Sequence, residues 1–167
     1  MQIRLANVLA AGAMLFAATA ASASDADVTK IKTLEARFAA AFSAKDLDGI
    51  MKVYVPDESL VVFDVVPPRQ YVGGAAYRKD WQAFLATFDG APQFTLSDLT
   101  VAANGSMGYG HSIQHVVGKG TDGKPIDFTV RVTDVYRKIK GQWLIVHEHV
   151  SVPVDIETGK PDFTSKP

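Results

Sequence analysis

No cysteine occurs among the 167 residues of this chain. Disulfides, thiol nucleophiles and thiolate metal sites are therefore excluded, and the fold has to be held by burial alone. An excess of either charge is missing too: 17 Lys and Arg face 18 Asp and Glu, a formal net charge of −1. A nucleic-acid partner would need a basic stripe that the chain does not have. Internal repeats and low-complexity segments are absent. With nearly half its residues apolar, at 47%, a chain of this length can form one globular domain without covalent staples.

The one long apolar run lies at the N-terminus, in MQIRLANVLAAGAMLFAATAASAS. Arg4 supplies a charged start, Leu5 to Ala20 the apolar stretch, and Ala21-Ser22-Ala23 a small-residue cleavage site, so residues 1–23 read as a cleaved signal peptide. The expected product is a periplasmic or secreted protein with no membrane attachment, with a domain over residues 24–155 and a loosely attached tail over 156–167.

Hydrophobic spacing organises the rest. Val28, Ile31, Leu34, Phe38, Ala41 and Phe42 recur three and four apart and predict a helix over 27–44, with Lys30, Lys32, Glu35 and Arg37 on its other side. Asp46 is placed to cap a second short helix that Pro56 ends. A strand follows in SLVVFDVV, then a third helix through Tyr77, Trp81, Phe84, Leu85 and Phe88 that Gly90 closes. From Gln93 the pattern alternates through four strands, with a parity shift near Ser97-Asp98 that predicts a β-bulge. The expected class is α+β, with three helices covering the concave face of a curved antiparallel sheet of about 4–6 strands.

The last hairpin raises a chemical question, because WLIVHEHVSVP spends strand positions on two histidines and a glutamate. A type I turn over Lys138 to Gly141, with Gly141 in the left-handed region, would set Lys138 opposite Gln142. Thr133 then faces His147 and Arg131 faces His149, so Arg131, Thr133, His147, His149 and Ser151 share one sheet face. That much polarity is costly in a dry core, at about 1–3 kcal/mol for each unpaired group, so this face is expected to line a cavity. Val130, Val132, Val146 and Val150 fall on the opposite, outer face, and Glu148 becomes a surface or interface residue. A metal site on His147 and His149, with His111 or His115 as a third ligand, is disfavoured by the permanent charge of Arg131 beside it. No metal and no cofactor is expected.

The segments AKDLDGIMKVYVPDESLVVFDVVPPRQYVGGAAYRKDW and RVTDVYRKIKGQWLIVHEHVSVPVD resemble the SnoaL-like branch, also called DUF4440-like, of the nuclear transport factor 2 superfamily. The resemblance spans nearly the whole mature chain. It implies a cone-shaped α+β barrel with a deep pocket, commonly a dimer through the outer sheet face. The superfamily contains ketosteroid isomerase, and its general-base aspartate falls on Asp64. Its oxyanion tyrosine falls on Phe38 and its protonated aspartate on Thr133, so steroid isomerase chemistry is not expected, since losing one such donor costs about 10²–10³ in rate.

Three readings follow. The first is an exported small-molecule-binding domain whose acidic or carbonyl-bearing ligand meets Arg131, His147, His149, Thr133, Ser151, Tyr54, Trp81 and Asp64. The second is a cofactor-independent isomerase, dehydratase or cyclase with Asp64 as base and His149 or Arg131 stabilising negative charge. The third is a homodimeric association module with a vestigial pocket.

Overall fold

The computed structural model describes residues 25–165, so the expected signal peptide lies outside the described residues. Helix α1 spans Asp25–Ser43 and α2 spans Leu47–Met51; strands β1, Val61–Phe63, and β2, Tyr71–Val72, lead into α3, Gly74–Ala86. Four longer strands complete the chain: β3 Gln93–Asn104, β4 Met107–Lys119, β5 Pro125–Ile139 and β6 Gln142–Ser151. They form one six-stranded sheet in the order β2-β1-β6-β5-β4-β3, antiparallel except where β1 runs parallel to β6.

Local chemistry explains the element boundaries. Asp46 caps α2 by accepting the Gly49 N–H at 2.9 Å. The parity shift in β3 is a bulge between Ser97 and Thr100, where Asp98 takes a φ of 54°. Asp27, in the first turn of α1, accepts from Lys138 Nζ at 2.6 Å and from Trp143 Nε1 at 3.1 Å, which pins the helix start to the β5–β6 hairpin. The core lies between α1, α3 and the inner sheet face, around Phe38, Phe42, Tyr54, Tyr77, Trp81 and Tyr136. One member of the buried α1 face is charged: Glu35, expected to point outward, is only 2% exposed.

The hairpin register differs from the sequence expectation in two steps. The β5–β6 turn has only two central residues, Lys140 at φ 49° and Gly141 at φ 83°, so Ile139 rather than Lys138 opposes Gln142. Farther along, Tyr136 pairs with Ile145 but Val135 pairs with His147, leaving Val146 as the extra residue of a bulge. The bulge sits where β6 changes partner on its other edge: Ile145 bridges Tyr54, whereas His147 pairs with Val61 of β1.

Crossing the bulge changes which parity faces inward. Trp143 and Ile145 point into the core before it; after it Glu148 does, 4% exposed. Arg131, Thr133, His147, His149 and Ser151 do share a face, with Thr133 opposite His149 and Arg131 opposite Ser151. It is the outer one. Val130 and Val132, expected outside, are buried at 6% and 2% exposure. The residues after 155 are also better attached than expected: the Thr129 N–H donates to the Phe163 carbonyl at 2.8 Å, and the Phe163 ring packs against Phe128. Among the described residues no helix is long and apolar enough to cross a membrane.

Candidate functional site

Between α1, α3 and the inner side of β4, β5 and β6 lies a cavity of about 620 Å³. Its walls are aromatic. Phe38 and Phe42 come from α1, Tyr77, Trp81 and Phe84 from α3, Phe94 from β3 and Phe128 from β5, with Phe163 of the C-terminal segment also in the lining. The helical rings are presented by the three-and-four spacing that also packs them edge to face, as Phe38 and Phe42 do against Trp81 at 5.5 and 5.6 Å between ring centres. Polar groups are few: Asp64, Asp80, Gln114, Asp127 and Glu148, with Thr87. Among the described residues the lining contains no Lys, Arg or His.

Glu148 is the most buried of these carboxyls. Tyr77 donates to its Oε1 at 2.5 Å and Tyr54 to its Oε2 at 2.7 Å. Burial still pushes its pKa up to about 7, against the opposing pull of those two hydroxyls. Next to it on β5, Asp134 is 2% exposed, and burial, then the charges of Glu148 and Glu35, hold its carboxyl well above the ordinary range. Asp134 Oδ1 has no donor partner. The Tyr136 hydroxyl donates to Glu35 Oε1 at 2.8 Å, and burial raises Glu35 to about 7 as well.

Three carboxyls and three tyrosines thus run through the interior in a connected cluster. Among the described residues, burial, carboxyls and phenols set the ionisation of Glu35, Asp134 and Glu148. The cluster is accommodated by small residues on β4: a side chain at Gly110, opposite Asp134, would meet the Tyr136 hydroxyl at 2.9 Å. Among the described residues, no group of three or more His, Cys, Asp or Glu is placed to hold a metal ion.

Asp64 stands just past the end of β1 and lines the cavity. Burial raises its pKa, opposed by the Val65 N–H that it accepts at 2.6 Å and reinforced by nearby Asp80. Trp81 is in the wall, 9% exposed, and its Nε1–H has no partner. Tyr54 lies behind Glu148 and reaches the site only through that hydrogen bond.

The other expected ligand contacts are elsewhere. Arg131, Thr133 and His149 are exposed on the outer face, and His147 and Ser151 are half-buried there. His147 Nδ1–H donates to the Val61 carbonyl at 2.8 Å, and Phe63 packs edge-on against both His147 and His149. These imidazoles fasten β6 to β1. His111 lies on the same outer side, and His115 Nε2 pairs with Asp127 at 2.8 Å. Glu148, taken from the sequence as a surface residue, is the polar group the sequence reading missed, together with Asp134 and Glu35. Its signal was the buried-strand pattern itself: with Trp143 and Ile145 inward, one bulge puts Glu148 on their side.

An aromatic cavity inside a cone of helices on a bent sheet defines a class of small-molecule-pocket folds. The SnoaL-like domain model matches residues 31–155, and the chain belongs to that family within the NTF2-like superfamily. An NTF2-like protein of unknown function from Pseudomonas putida is similar at 33% identity, covering 87% of this chain and all of its own, with a TM-score of 0.78. A candidate dehydratase of the NTF2-like family from Streptomyces avermitilis shares the fold at 16% identity, 76% and 96% coverage and a TM-score of 0.67. A candidate scytalone dehydratase from Novosphingobium aromaticivorans does so at 14% identity, 84% and 96% coverage and a TM-score of 0.69. No curated protein matches the chain significantly.

Proposed function

We propose that this protein binds a small, mostly apolar, ring-bearing molecule in the cavity between α1, α3 and the sheet. The observation that carries this reading is the aromatic enclosure of about 620 Å³ with a buried carboxyl, Glu148, in its wall. Apolar walls supply affinity and a few fixed polar groups supply orientation, the usual division of labour in ligand pockets. The unpartnered indole N–H of Trp81 would take an acceptor atom of the ligand. The test is a thermal-shift screen of ring-bearing metabolites against the wild type and Val150→Trp, which fills the cavity from β6. Stabilisation of the wild type alone is the expected result; a ligand that stabilises both equally, or none that stabilises the wild type, overturns the reading.

Proton transfer without a cofactor is the second reading, favoured by one observation: two carboxyls of raised pKa, Asp64 and Glu148, face a single cavity. A carboxylate of raised pKa can remove a proton and a neutral carboxyl can return one, which is what isomerisation or dehydration requires. Asp64→Asn is expected to abolish turnover while keeping ligand-induced stabilisation; turnover that persists rules Asp64 out as the base. Steroid isomerase chemistry is not proposed. Phe38 has no hydroxyl, and the buried carboxyl on β5 is Asp134, which is not among the described residues of the lining, while its neighbour Thr133 faces outward.

Export to the periplasm, with cleavage before Ser24, remains part of the proposal on the strength of the N-terminal pattern, and N-terminal sequencing of the mature protein tests it. A homodimer through the outer sheet face is likewise proposed. The face has changed, since Phe63, Val72, Met107 and Tyr109 are its exposed large apolar groups rather than the four valines, and sedimentation of a Tyr109→Glu variant tests it.

A further inference from the structure

The cavity is electrostatically one-sided, and this narrows the ligand class under the binding reading above, on which the inference rests. Among the described residues four carboxyl side chains line it and no basic one does. Neither Asp64 nor Glu148 has a Lys, Arg or His among the groups that set its ionisation. Surface acids without partners are ordinary, because water solvates them. A 4% exposed Glu148 is different, since what meets its carboxyl is two tyrosine hydroxyls and the Asp134 carboxyl. Each carboxylate oxygen has two acceptor positions, so the two tyrosine bonds and the Asp134 contact leave one of the four for a further donor. The surrounding walls are built from the rings of Phe38, Phe42, Trp81 and Phe84, and the face of such a ring attracts positive charge and repels negative charge.

We propose that the ligand is an organic cation, an aryl or alkyl amine whose ammonium group docks on the Glu148 carboxylate while its apolar body lies against the Phe38, Phe42, Trp81 and Phe84 rings. Such a ligand supplies the missing counter-charge and donates to the remaining acceptor position on Glu148. A carboxylate-bearing ligand, which the sequence had suggested through Arg131, would add negative charge to a site that has no cation, because Arg131 is on the outer face.

Three indole probes of matched size separate the alternatives: tryptamine, its neutral analogue tryptophol and the anionic indole-3-propionate. Binding is read from the Trp81 indole N–H resonance in the full mature protein at pH 7.5. Tryptamine is expected to bind at least about tenfold more tightly than tryptophol, a preference that Glu148→Gln reduces to about twofold or less. Tryptophol or indole-3-propionate binding as tightly as tryptamine overturns the amine class and leaves cavity binding intact. Should none of the three shift the resonance at millimolar concentration, the amine class falls together with the binding reading.

A second measurement keeps the test independent of whether Glu148→Gln folds. The groups facing Glu148 are Glu35 from α1, Tyr54, Asp64, Tyr77 from α3, and Asp134 from β5, all carboxyls or phenols. Protonating Glu148 removes the docking charge, so wild-type affinity for tryptamine should rise several-fold between pH 5.5 and 7.5 while that for tryptophol does not. A flat tryptamine profile overturns the proposal. His115→Gln, which removes the imidazole paired with Asp127, serves as the control and should leave the profile unchanged.

Discussion

Strand β6 carries ionisable groups on both of its sides, yet the two sides solve different problems. Outside, His147 and His149 meet a carbonyl, an aromatic edge and water. Inside, Glu148 meets two phenols and a second carboxyl, with no cation. A charge on the outer side is solvated and its removal is cheap; a carboxyl on the inner side keeps its place only because tyrosines donate to it or because it holds a proton. The difference shows that chemistry in this fold belongs to whichever residues the bulge turns inward.

The largest expected effect follows from removing that bulge. Deleting Val146 would join Ile145 directly to the next residue and rotate the rest of β6 by one position, burying both imidazoles and expelling the carboxyl. The β1 pairing would have to shift as well. We expect loss of cooperative thermal unfolding and of near-ultraviolet circular dichroism, equivalent to more than about 4 kcal/mol. A variant melting within a few degrees of wild type would show that the bulge does not set the faces.

Truncation inside comes next. Glu148→Ala strips the acceptor from the Tyr54 and Tyr77 hydroxyls, both of which are about 1% exposed, and enlarges the cavity. A loss of about 2–4 kcal/mol in denaturant unfolding is expected from two orphaned hydroxyls and the new void. A loss below about 1 kcal/mol would mean that water replaces the carboxyl.

The inner cluster also dictates how stability depends on pH. Burial raises Glu148 and Glu35 to about 7 and holds Asp134 well above the ordinary range, so the folded protein binds more protons than the unfolded chain between about pH 4.5 and 7. Stability therefore falls as pH rises through that window, the reverse of a salt-bridged carboxylate. The aspartates with lowered pKa, such as Asp27 and Asp89, act below the window. Melting temperature should be several degrees higher at pH 5 than at pH 8, and Glu148→Gln should flatten the slope. Tyr77→Phe sharpens the comparison: it should cost about 1 kcal/mol and move the midpoint upward, since one donor that favours the carboxylate is gone. A midpoint moving downward would contradict the assigned bond.

These features explain what the sequence disclosed and what it withheld. Helical spacing placed Phe38, Trp81 and Leu85 on buried faces, the Asp46 cap and the Ser97 parity shift marked real features, and the family motifs implied the cone. Asp64 was reached through the same resemblance and does line the cavity. The inner polar cluster was not legible, because it depends on register. A turn shorter by one position and a bulge at Val146 together slide β6 by two residues, which leaves the shared face of Arg131 and His149 intact while the inward parity changes beneath it. Periodicity then assigns polar residues outward by default, and on α1 the same default hid Glu35 among its apolar neighbours.

The smallest expected effect is the one that isolates the outer side. Arg131 and His149 are exposed, neither has a hydrogen bond or ion pair to a buried group, and β5 and β6 remain paired through their backbones without them. Arg131→Ala and His149→Ala should each stay within about 0.5 kcal/mol of wild type. Each should also leave probe binding in the cavity unchanged, since the sheet separates both side chains from it. His147→Ala tests the same boundary from the other direction. Its ring bonds the Val61 carbonyl and packs on Phe63, so it should cost about 1 kcal/mol, with no change in tryptamine affinity. If Arg131→Ala weakened binding as strongly as Glu148→Gln, the two sides of the sheet would be coupled, and the ligand would have to reach an edge of the sheet where the faces meet.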